Sequence, residues 1–249
     1  MKTEEYKTMY DIEDNYWWYV GLRGLIISTM NRLKLKELNV RILDAGCGTG
    51  KVLAGCAEYR SYGIDFSEEA VGFCKLRGLN NIVRGSISHV PFKGFCFDLV
   101  MSLDVLYHTN VKDDVETLKE ICRVMSGGGI LLLNLPAYNF LRSRHDEAIH
   151  TRHRYTRRDL KERVQEAGFE IEKITYRNTF LFPIAVLKRI FEKYFTADDT
   201  ASDLKPLPFM VNKLFTYLLF LENRLIMSGI DFPFGLSIYC VARKKEQES

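Results

Sequence analysis

Short, mostly apolar runs recur along the chain and predict the strands of a buried sheet. The runs at 40–43, 62–64, 97–102 and 130–135 lack the strict alternation of apolar and polar residues that marks a half-exposed strand. Runs of this kind are typical of strands covered on both faces, as in a parallel sheet. A shorter strand is predicted at 81–84.

The last two predicted strands, at 169–176 and 235–243, are separated by roughly 55 residues, far more than a hairpin loop spans. The intervening segment holds an amphipathic run at 182–194, a polar stretch at 196–203 and a second helix-like run at 210–227. Three interpretations stay open for this insertion: a helical subdomain packed on the sheet, a dimer surface, or a face that sits on a membrane near a lipid-linked acceptor.

Composition narrows the class of protein. A chain of 249 residues can form one large α/β domain, with or without an insertion. Its net charge of +3 does not by itself indicate nucleic acid. The six cysteines form no C-x-x-C pair, which predicts reduced thiols in a cytoplasmic protein. We expect no signal peptide and no transmembrane helix, because long uncharged apolar runs are missing.

A glycine-rich turn follows the first predicted strand. Gly46, Gly48 and Gly50 alternate with small residues, and glycine lets the backbone turn tightly and approach a ligand. A helix-like run at 51–59 comes next, so N–H groups at its start would face a bound nucleotide cofactor.

Two acids accompany this turn. Asp44 stands two residues before the first glycine, and Asp65 ends the second predicted strand. An acid at that strand end can accept hydrogen bonds from both ribose hydroxyls of a cofactor. The spacing D-x-G-x-G-x-G differs from the G-x-G-x-x-G pattern of dinucleotide-binding proteins.

This set of residues resembles motif I and the following acidic position of the class I S-adenosylmethionine-dependent methyltransferases, in their type 11/12 group. The resemblance implies S-adenosylmethionine as cofactor, with S-adenosylhomocysteine as product. It implies an α/β fold with a Rossmann-like, seven-stranded, mostly parallel sheet flanked by helices. We accordingly expect an N-terminal helical cap at 1–38, a cofactor-binding core at 39–180, a helical insertion at 181–234, and a final strand and tail at 235–249.

The aromatic opening before the first strand extends the resemblance. The string Tyr-Trp-Trp-Tyr-Val-Gly-Leu-Arg at 16–23 is similar to the Y/H-W-W-F-x-G-R-R opening of one group of these enzymes. In such openings an Arg could pair with the cofactor carboxylate, a role that falls here to Arg23. Gly24 replaces the second Arg of the pattern. Trp18 either packs this segment onto the domain or covers the cofactor.

The ends of the later strands predict further contacts. Gly-Ser-Ile-Ser-His-Val-Pro-Phe at 85–92 resembles the family's G-D-A-x-x-L-P-F segment, which makes Ser86 and Ile87 neighbours of the adenine. Ligands of open α/β sheets lie beyond the carboxyl ends of the strands. The residues expected near the transferred methyl group are therefore Leu103, Asp104, Tyr107 and His108.

The loop at 138–155 is expected to meet the acceptor. Three of the five histidines, His145, His150 and His153, lie within nine positions of each other here. They match no zinc spacing, so a base or a polar clamp is preferred over a metal site. The loop also resembles an S-R-H-D-E-x-x-x-H-x-R-R-Y-T pattern of the same methyltransferase group.

Each role has its candidate residues. The catalytic candidates are His108, His145 and His150. The cofactor-binding candidates are Trp18, Arg23, Asp44, Gly46, Cys47, Gly48, Gly50, Asp65, Phe66, Ser86, Ile87, Leu103 and Asp104. The substrate-binding candidates are Tyr107, Tyr138, Arg142, Arg144, Arg154 and Tyr155, and no metal ligand is expected.

The predicted reaction is in-line methyl transfer to an O or N atom of a small-molecule or lipid- or sugar-linked acceptor. Nucleic acid is not favoured, because no N-P-P-Y-like tetrapeptide holds a flipped base. A homodimer and peripheral membrane contact through 181–234 stay open. Two other functions compete: a cofactor-binding module without turnover, and a nicotinamide-dependent oxidoreductase.

Overall fold

The computed structural model describes residues 3–35, 39–195 and 207–246. Its centre is one seven-stranded sheet. The strands are β1 (Arg41–Ala45), β2 (Arg60–Asp65), β3 (Ile82–Arg84), β4 (Phe97–Leu103), β5 (Met125–Pro136), β6 (Phe169–Arg177) and β7 (Ser237–Lys244). They are arranged in the order β3-β2-β1-β4-β5-β7-β6. The first five strands run parallel, and β7 lies antiparallel between β5 and β6. The predicted fold class is confirmed.

Helices cover both faces of this sheet. They are α1 (Thr3–Ile12), α2 (Trp17–Arg32), α3 (Lys51–Ala54), α4 (Glu68–Leu76), α5 (Asp114–Val124), α6 (Arg144–Ala148), α7 (Arg157–Glu166), α8 (Phe182–Phe195) and α9 (Phe209–Met227). No described helix is long and apolar enough to cross a membrane.

The apolar runs are continuous because successive side chains enter two different cores. Ile42 packs with α2 and α9 on one face of the sheet, while its neighbour Leu43 packs with α5 and α7 on the other. Leu99 and Val100 of β4 divide in the same way. Side chains of a strand alternate between faces, so a sheet covered on both sides needs apolar residues at consecutive positions.

Two helices near the site differ from the prediction. The helix predicted at 51–59 ends at Ala54, because Gly55 follows and the chain then turns through short-range bonds such as Cys56 N–H to Leu53 O. Apolar residues at helical spacing predict a helix from Leu22 to Leu35, whereas α2 begins five residues earlier, at Trp17. The reason is a distant partner: the Trp17 N–H donates to Asn212 Oδ1 of α9 at 2.9 Å.

The insertion contributes α9 to the core on one face of the sheet. Gly21 of α2 lies against Leu219 of α9 so closely that a Cβ on Gly21 would come within 2.3 Å of Leu219 Cδ1. Asn223 Nδ2 donates to Gly21 O at 2.8 Å across the same contact. The predicted polar stretch at 196–203 lies outside the described residues.

Candidate functional site

A cavity of about 1080 Å³ opens beyond the carboxyl ends of β1, β2 and β4. Its walls come from the glycine turn, α1, α2, the loop after β4, the loop after β5, and the insertion helices. The predicted residues that line it are Trp18, Asp44, Gly46, Cys47, Gly48, Asp65, Phe66, Ser86, Ile87, Leu103, Asp104, Tyr107, His108, His150 and Arg154.

The glycine turn is folded by positive φ angles. Gly46, Gly48 and Gly50 have φ values of 95°, 53° and 79°, a region that disfavours side chains. The N–H groups of Gly46 and Cys47 both donate to Ile64 O, at 2.8 and 3.0 Å, which ties the turn to β2. Gly50 does not line the cavity; a Cβ there would meet Leu79 Cδ1 at 2.5 Å.

Replacing Gly46 with alanine is expected to destabilise the protein by about 2 kcal/mol. A Cβ on Gly46 would lie 2.3 Å from Val105 Cγ2, at a φ of +95°. The matched control is Gly72→Ala in α4, where a Cβ meets nothing within 4 Å. That change should stabilise the helix by about 0.5–1 kcal/mol. Urea unfolding measures both, and two variants of equal stability would contradict the account of the turn.

Asp65 is fixed by backbone donors on both carboxylate oxygens. Its Oδ2 accepts the Gly48 N–H at 2.8 Å, and its Oδ1 accepts the Ser67 N–H at 2.9 Å. Burial raises the pKa of Asp65, while these two N–H groups oppose that rise. The carboxylate is therefore held in one orientation at the cavity wall, and the exposed Phe66 ring lies next to it at the rim.

Two further carboxyl groups lie at the ends of β1 and β4: Asp44 is buried and Asp104 is half-buried at the cavity. Burial raises the pKa of Asp44 to about 7, and the neighbouring charge of Asp65 adds to the effect. Burial likewise raises the pKa of Asp104 to about 6, opposed by Arg177. Within the described structure, Asp44 Oδ1 has no hydrogen-bond partner. A buried carboxyl oxygen without a partner, as in Asp44, suits a ligand that carries positive charge.

Arg23 lies away from the cavity. Its guanidinium donates to two backbone carbonyls at the end of α1, Glu13 O at 2.6 Å and Asp14 O at 3.1 Å. The predicted role of Arg23 on a cofactor carboxylate is therefore not supported by its position. Trp18 does line the cavity, and its ring stacks 5.8 Å from the guanidinium carbon of Arg177.

The sequence analysis missed that α1 covers the glycine turn. Tyr6, Met9 and Glu13 of this segment line the cavity. Glu13 is buried, accepts a hydrogen bond from Thr49 Oγ1 in the turn, and forms an ion pair with Arg77 of the α4 C-terminus. The spacing of these three side chains, three and four residues apart, is the signal of one helix face that could have revealed them.

We call the part of the cavity lined by the loops after β4 and β5 and by the insertion helices the acceptor half. It holds two neighbouring histidines. The rings of His108 and His150 are 5.7 Å apart and nearly perpendicular. Burial, with His150 nearby, lowers the pKa of His108 to about 4. His108 Nδ1 accepts the Asn110 N–H at 3.2 Å, so the neutral ring carries its proton on Nε2. In that form Nε2 of His108 is a hydrogen-bond donor, and the lowered pKa makes the ring a weak base.

Arg154 lines the cavity but is engaged by the loop itself. Its Nε and Nη2 donate to the two oxygens of Asp146 at 2.8 and 3.0 Å, and Nη1 donates to Ala137 O at 3.2 Å. Arg142 binds the backbone oxygens of Thr151 and Arg152, which pins the loop and keeps its guanidinium from the cavity.

Two of the predicted tyrosines also lie away from the cavity. Tyr138 stacks on Tyr176, with ring centroids 5.1 Å apart. Tyr155 is fully buried, and its hydroxyl donates to Asp114 Oδ2 at 3.0 Å. The side chains of Arg144 and His145 lie outside the described part of the structure. In the described residues, no group of three or more His, Cys, Asp or Glu side chains forms a metal site.

Asp114 joins this loop to α5 and α7. Its buried carboxylate accepts from Arg152 and Tyr155, lies 3.3 Å from Arg163 Nη1, and lies 3.5 Å from His153 Nε2. Burial lowers the pKa of His153, against the attraction of Asp114. The geometry of the loop at 150–155 thus depends on a carboxylate that does not itself line the cavity.

Comparisons with known proteins agree with this geometry at the donor end. Residues 43–133 match the family model described as a methyltransferase domain. The chain is 31% identical over 93 residues to the probable tRNA methyltransferase 9B of Mus musculus, covering 37% of this chain and 21% of that protein. It is also 31% identical over 93 residues to the tRNA (carboxymethyluridine(34)-5-O)-methyltransferase alkbh8 of Xenopus tropicalis, covering 37% of this chain and 15% of that protein. The match thus spans about a fifth or less of each relative.

A solved structure extends the likeness to the whole fold. A SAM-dependent methyltransferase of Thermotoga maritima, described as a possible histamine N-methyltransferase, superposes with a TM-score of 0.60. The superposition covers 97% of this chain and 96% of that one at 16% identity, so it shows the fold alone.

The sequence-based expectation about partners is wrong. It placed a small-molecule or lipid-linked acceptor first, kept a homodimer and membrane contact open, and set nucleic acid aside. Both relatives described above carry names that specify tRNA. The error has a physical reason: the net charge of a whole chain does not report how charge is distributed around a site, which is what nucleic acid meets.

Proposed function

We propose that this chain, a member of the class I S-adenosylmethionine-dependent methyltransferase family, transfers the methyl group of that cofactor to a nucleotide of transfer RNA. The observation that carries the proposal is one continuous cavity that joins the acid-lined glycine turn to a half lined by histidine, apolar and basic side chains. Donor and acceptor can therefore meet in a space enclosed by α1, α2 and α8.

The donor end suits the cofactor by its chemistry. Asp65 presents a fixed carboxylate for the ribose hydroxyls, and Gly46 and Gly48 let the backbone turn tightly where a Cβ would collide with Val105 or Met9. Asp44 and Asp104 are the acids that would receive the positively charged amino-acid end. The unsatisfied Asp44 Oδ1 is the observation that best fits a cationic ligand.

Catalysis by this chain would rest mainly on orientation. When bound, S-adenosylmethionine supplies a methyl group that its positive sulfur already activates. Tyr107, His108 and His150 line the space where an acceptor atom must be held in line with that group. Alignment of two reactants can be equivalent to effective molarities of about 10⁵ M or more. His108 Nε2–H would orient the acceptor by donation, and His150 is the candidate if a proton must be removed.

The acceptor class is argued from the relatives and from the rim of the cavity. Lys188 and Arg189 of α8 line the same cavity as the apolar Ile149 and Phe215. Basic side chains next to apolar and aromatic ones suit a nucleotide, whose phosphate is anionic and whose base is flat and weakly polar. The names of the tRNA-modifying relatives point to the same class.

The test is methyl transfer from radiolabelled S-adenosylmethionine to bulk tRNA by the full chain. We expect label in the RNA fraction, with one methylated nucleoside found by mass spectrometry after nuclease digestion. Asp65→Asn should reduce the label about 100-fold, because it weakens the hold on the cofactor. The control Asp231→Asn removes a surface ion pair with Lys173 and should change nothing. Cofactor binding without any label in RNA would contradict tRNA as the acceptor, while it would still support the assignment of the cofactor site.

A further inference from the structure

A buried chain of polar side chains leads from the cavity to the far edge of the sheet. Asn134 Nδ2 of β5 donates to both carboxylate oxygens of Asp104, each at 2.9 Å. Arg177 Nη1, at the end of β6, donates to Asn134 Oδ1 at 3.3 Å. Asn134 and Arg177 are fully buried, and of the three residues only Asp104 lines the cavity.

The direction of this chain is dictated by chemistry. Arg177 can only donate, so Asn134 must turn its oxygen toward Arg177 and its NH₂ group toward Asp104. Asn134 also holds the backbone of Asp104, because the backbone carbonyl oxygen of Asn134 accepts the Asp104 N–H at 2.8 Å. Asp104 has a φ of +57°, which a non-glycine residue adopts only when its surroundings impose it.

Charged and titratable groups surround both ends of the chain. Asp104 faces Arg177 of β6 and Arg154 of the loop, and it faces the phenol groups of Tyr19 on α2 and Tyr107. Around Arg177 the groups are Glu222 of α9, Tyr239 of β7 and the Trp18 ring. Glu222 is itself fixed, because its carboxylate accepts the N–H groups of residues 178–180.

Arg177 is a buried cation that faces two carboxyl groups, Glu222 of α9 and Asp104 at the cavity. Its Nε and Nη2 have no partner among the described residues, although burying a guanidinium is costly unless its donors are satisfied. The Glu222 oxygens already accept the N–H groups of residues 178–180, so they need no hydrogen bond from Arg177. A charge kept at this position therefore points to a role toward a group that it can influence, and Asp104 lies two hydrogen bonds away.

We infer that Arg177 and Asn134 are positioning residues that keep Asp104 ionised and aimed into the cavity, ready for the positively charged end of the cofactor. The inference rests on the proposed cofactor site. It gives β6 and α9, which lie far from the glycine turn in sequence, a part in cofactor binding. Arg177 acts through Asn134 and touches no ligand itself.

The test is the pH dependence of S-adenosylhomocysteine binding, measured by calorimetry from about pH 5 to about pH 8. Because the pKa of Asp104 lies at about 6, affinity for the ammonium-bearing ligand should rise with pH through that value, with a second rise at about 7 from Asp44. In Arg177→Met the first rise should move up by about one pH unit, which is about a fivefold loss of affinity near pH 6 and little loss near pH 8. Arg177→Lys should restore the wild-type curve.

Three further variants separate this role from a structural one. Asp104→Asn should remove the Asp104 part of the curve, which distinguishes it from the titration of Asp44. Asn134→Leu removes the link between Arg177 and Asp104 while leaving Arg177 in place, and it should shift the curve in the same direction as Arg177→Met. The two variants test the inference independently, so it stays testable where one of them folds poorly. Arg243→Met removes an arginine that pairs with Glu172 at the protein surface, and it should leave the curve unchanged.

The pKa of Asp104 can also be read directly from its carboxyl carbon by NMR in the ligand-free protein. An upward move of that pKa in Arg177→Met and Asn134→Leu supports the inference. Superimposable curves for wild type and both variants would overturn it. If wild-type protein binds no S-adenosylhomocysteine at any pH, it is the proposed function that fails.

Discussion

Asp65→Asn is expected to weaken binding of S-adenosylmethionine about 100-fold, which corresponds to the loss of two hydrogen bonds to a charged group. Both oxygens of Asp65 already accept backbone N–H groups, from Gly48 and Ser67. Whichever way an asparagine amide is turned, its NH₂ group would face one of these donors. The variant thus loses both the negative charge and the fixed orientation offered to the ribose.

Equilibrium dialysis with radiolabelled cofactor measures this effect. Asp231→Asn is the matched control, because Asp231 is half-exposed and pairs with Lys173 at the surface. An exposed pair contributes little to stability, so this change should leave the dissociation constant as it is. Equal affinities for wild type and Asp65→Asn would show that the Asp65 carboxylate does not bind the cofactor.

Asp114→Asn is expected to lower the free energy of unfolding by about 3 kcal/mol, since removing one member of a buried ionic cluster leaves its partners uncompensated. Asp114 is buried and holds Arg152, Arg163 and Tyr155. These residues belong to the acceptor loop and to α7, so the loop should loosen as well. Hydrogen exchange should therefore become faster in the backbone amides of 150–155.

The neighbouring residue supplies the control. Asp113 is exposed and caps α5, with its Oδ1 accepting the Glu116 N–H at 3.1 Å. Asparagine caps helices about as well as aspartate, so Asp113→Asn should cost no more than about 0.5 kcal/mol. Urea unfolding compares the two variants. Similar losses in both would show that Asp114 acts as an ordinary surface charge.

Local features of the donor site could be predicted from the sequence. The glycine turn and Asp65 are short-range devices: three positive φ angles within five residues, then an acid at the next strand end. Their chemistry is carried by adjacent residues, so a pattern is enough to find them. The family resemblance and the fold class, which depend on the same local patterns, are confirmed.

The remaining parts of the site depend on contacts between distant segments. Arg23 matches a family position, yet its guanidinium binds the carbonyls of Glu13 and Asp14 at the end of α1. Arg154 has the charge expected of an anion-binding residue, but Asp146 occupies both sides of its fork. A linear pattern indicates which residue types are present. It does not show which hydrogen-bond or ion-pair partner each side chain has in the folded protein.

The acceptor prediction went wrong for a similar reason. Net charge and the missing tetrapeptide describe the chain as a whole, whereas the acceptor half of the cavity is assembled from α8, α9 and the loop after β5. Lys188 and Phe215 come from an insertion for which the sequence left three interpretations open. Only their placement around one cavity makes them part of a single surface.

Calorimetric titration of the protein with S-adenosylmethionine, and separately with NAD, tests which cofactor the glycine turn binds. We expect S-adenosylmethionine to bind at one site per chain and NAD to produce no heat of binding, because the glycine turn and its two acids suit a cationic mononucleoside cofactor. Binding of NAD, or silence with S-adenosylmethionine and with S-adenosylhomocysteine, would contradict this expectation.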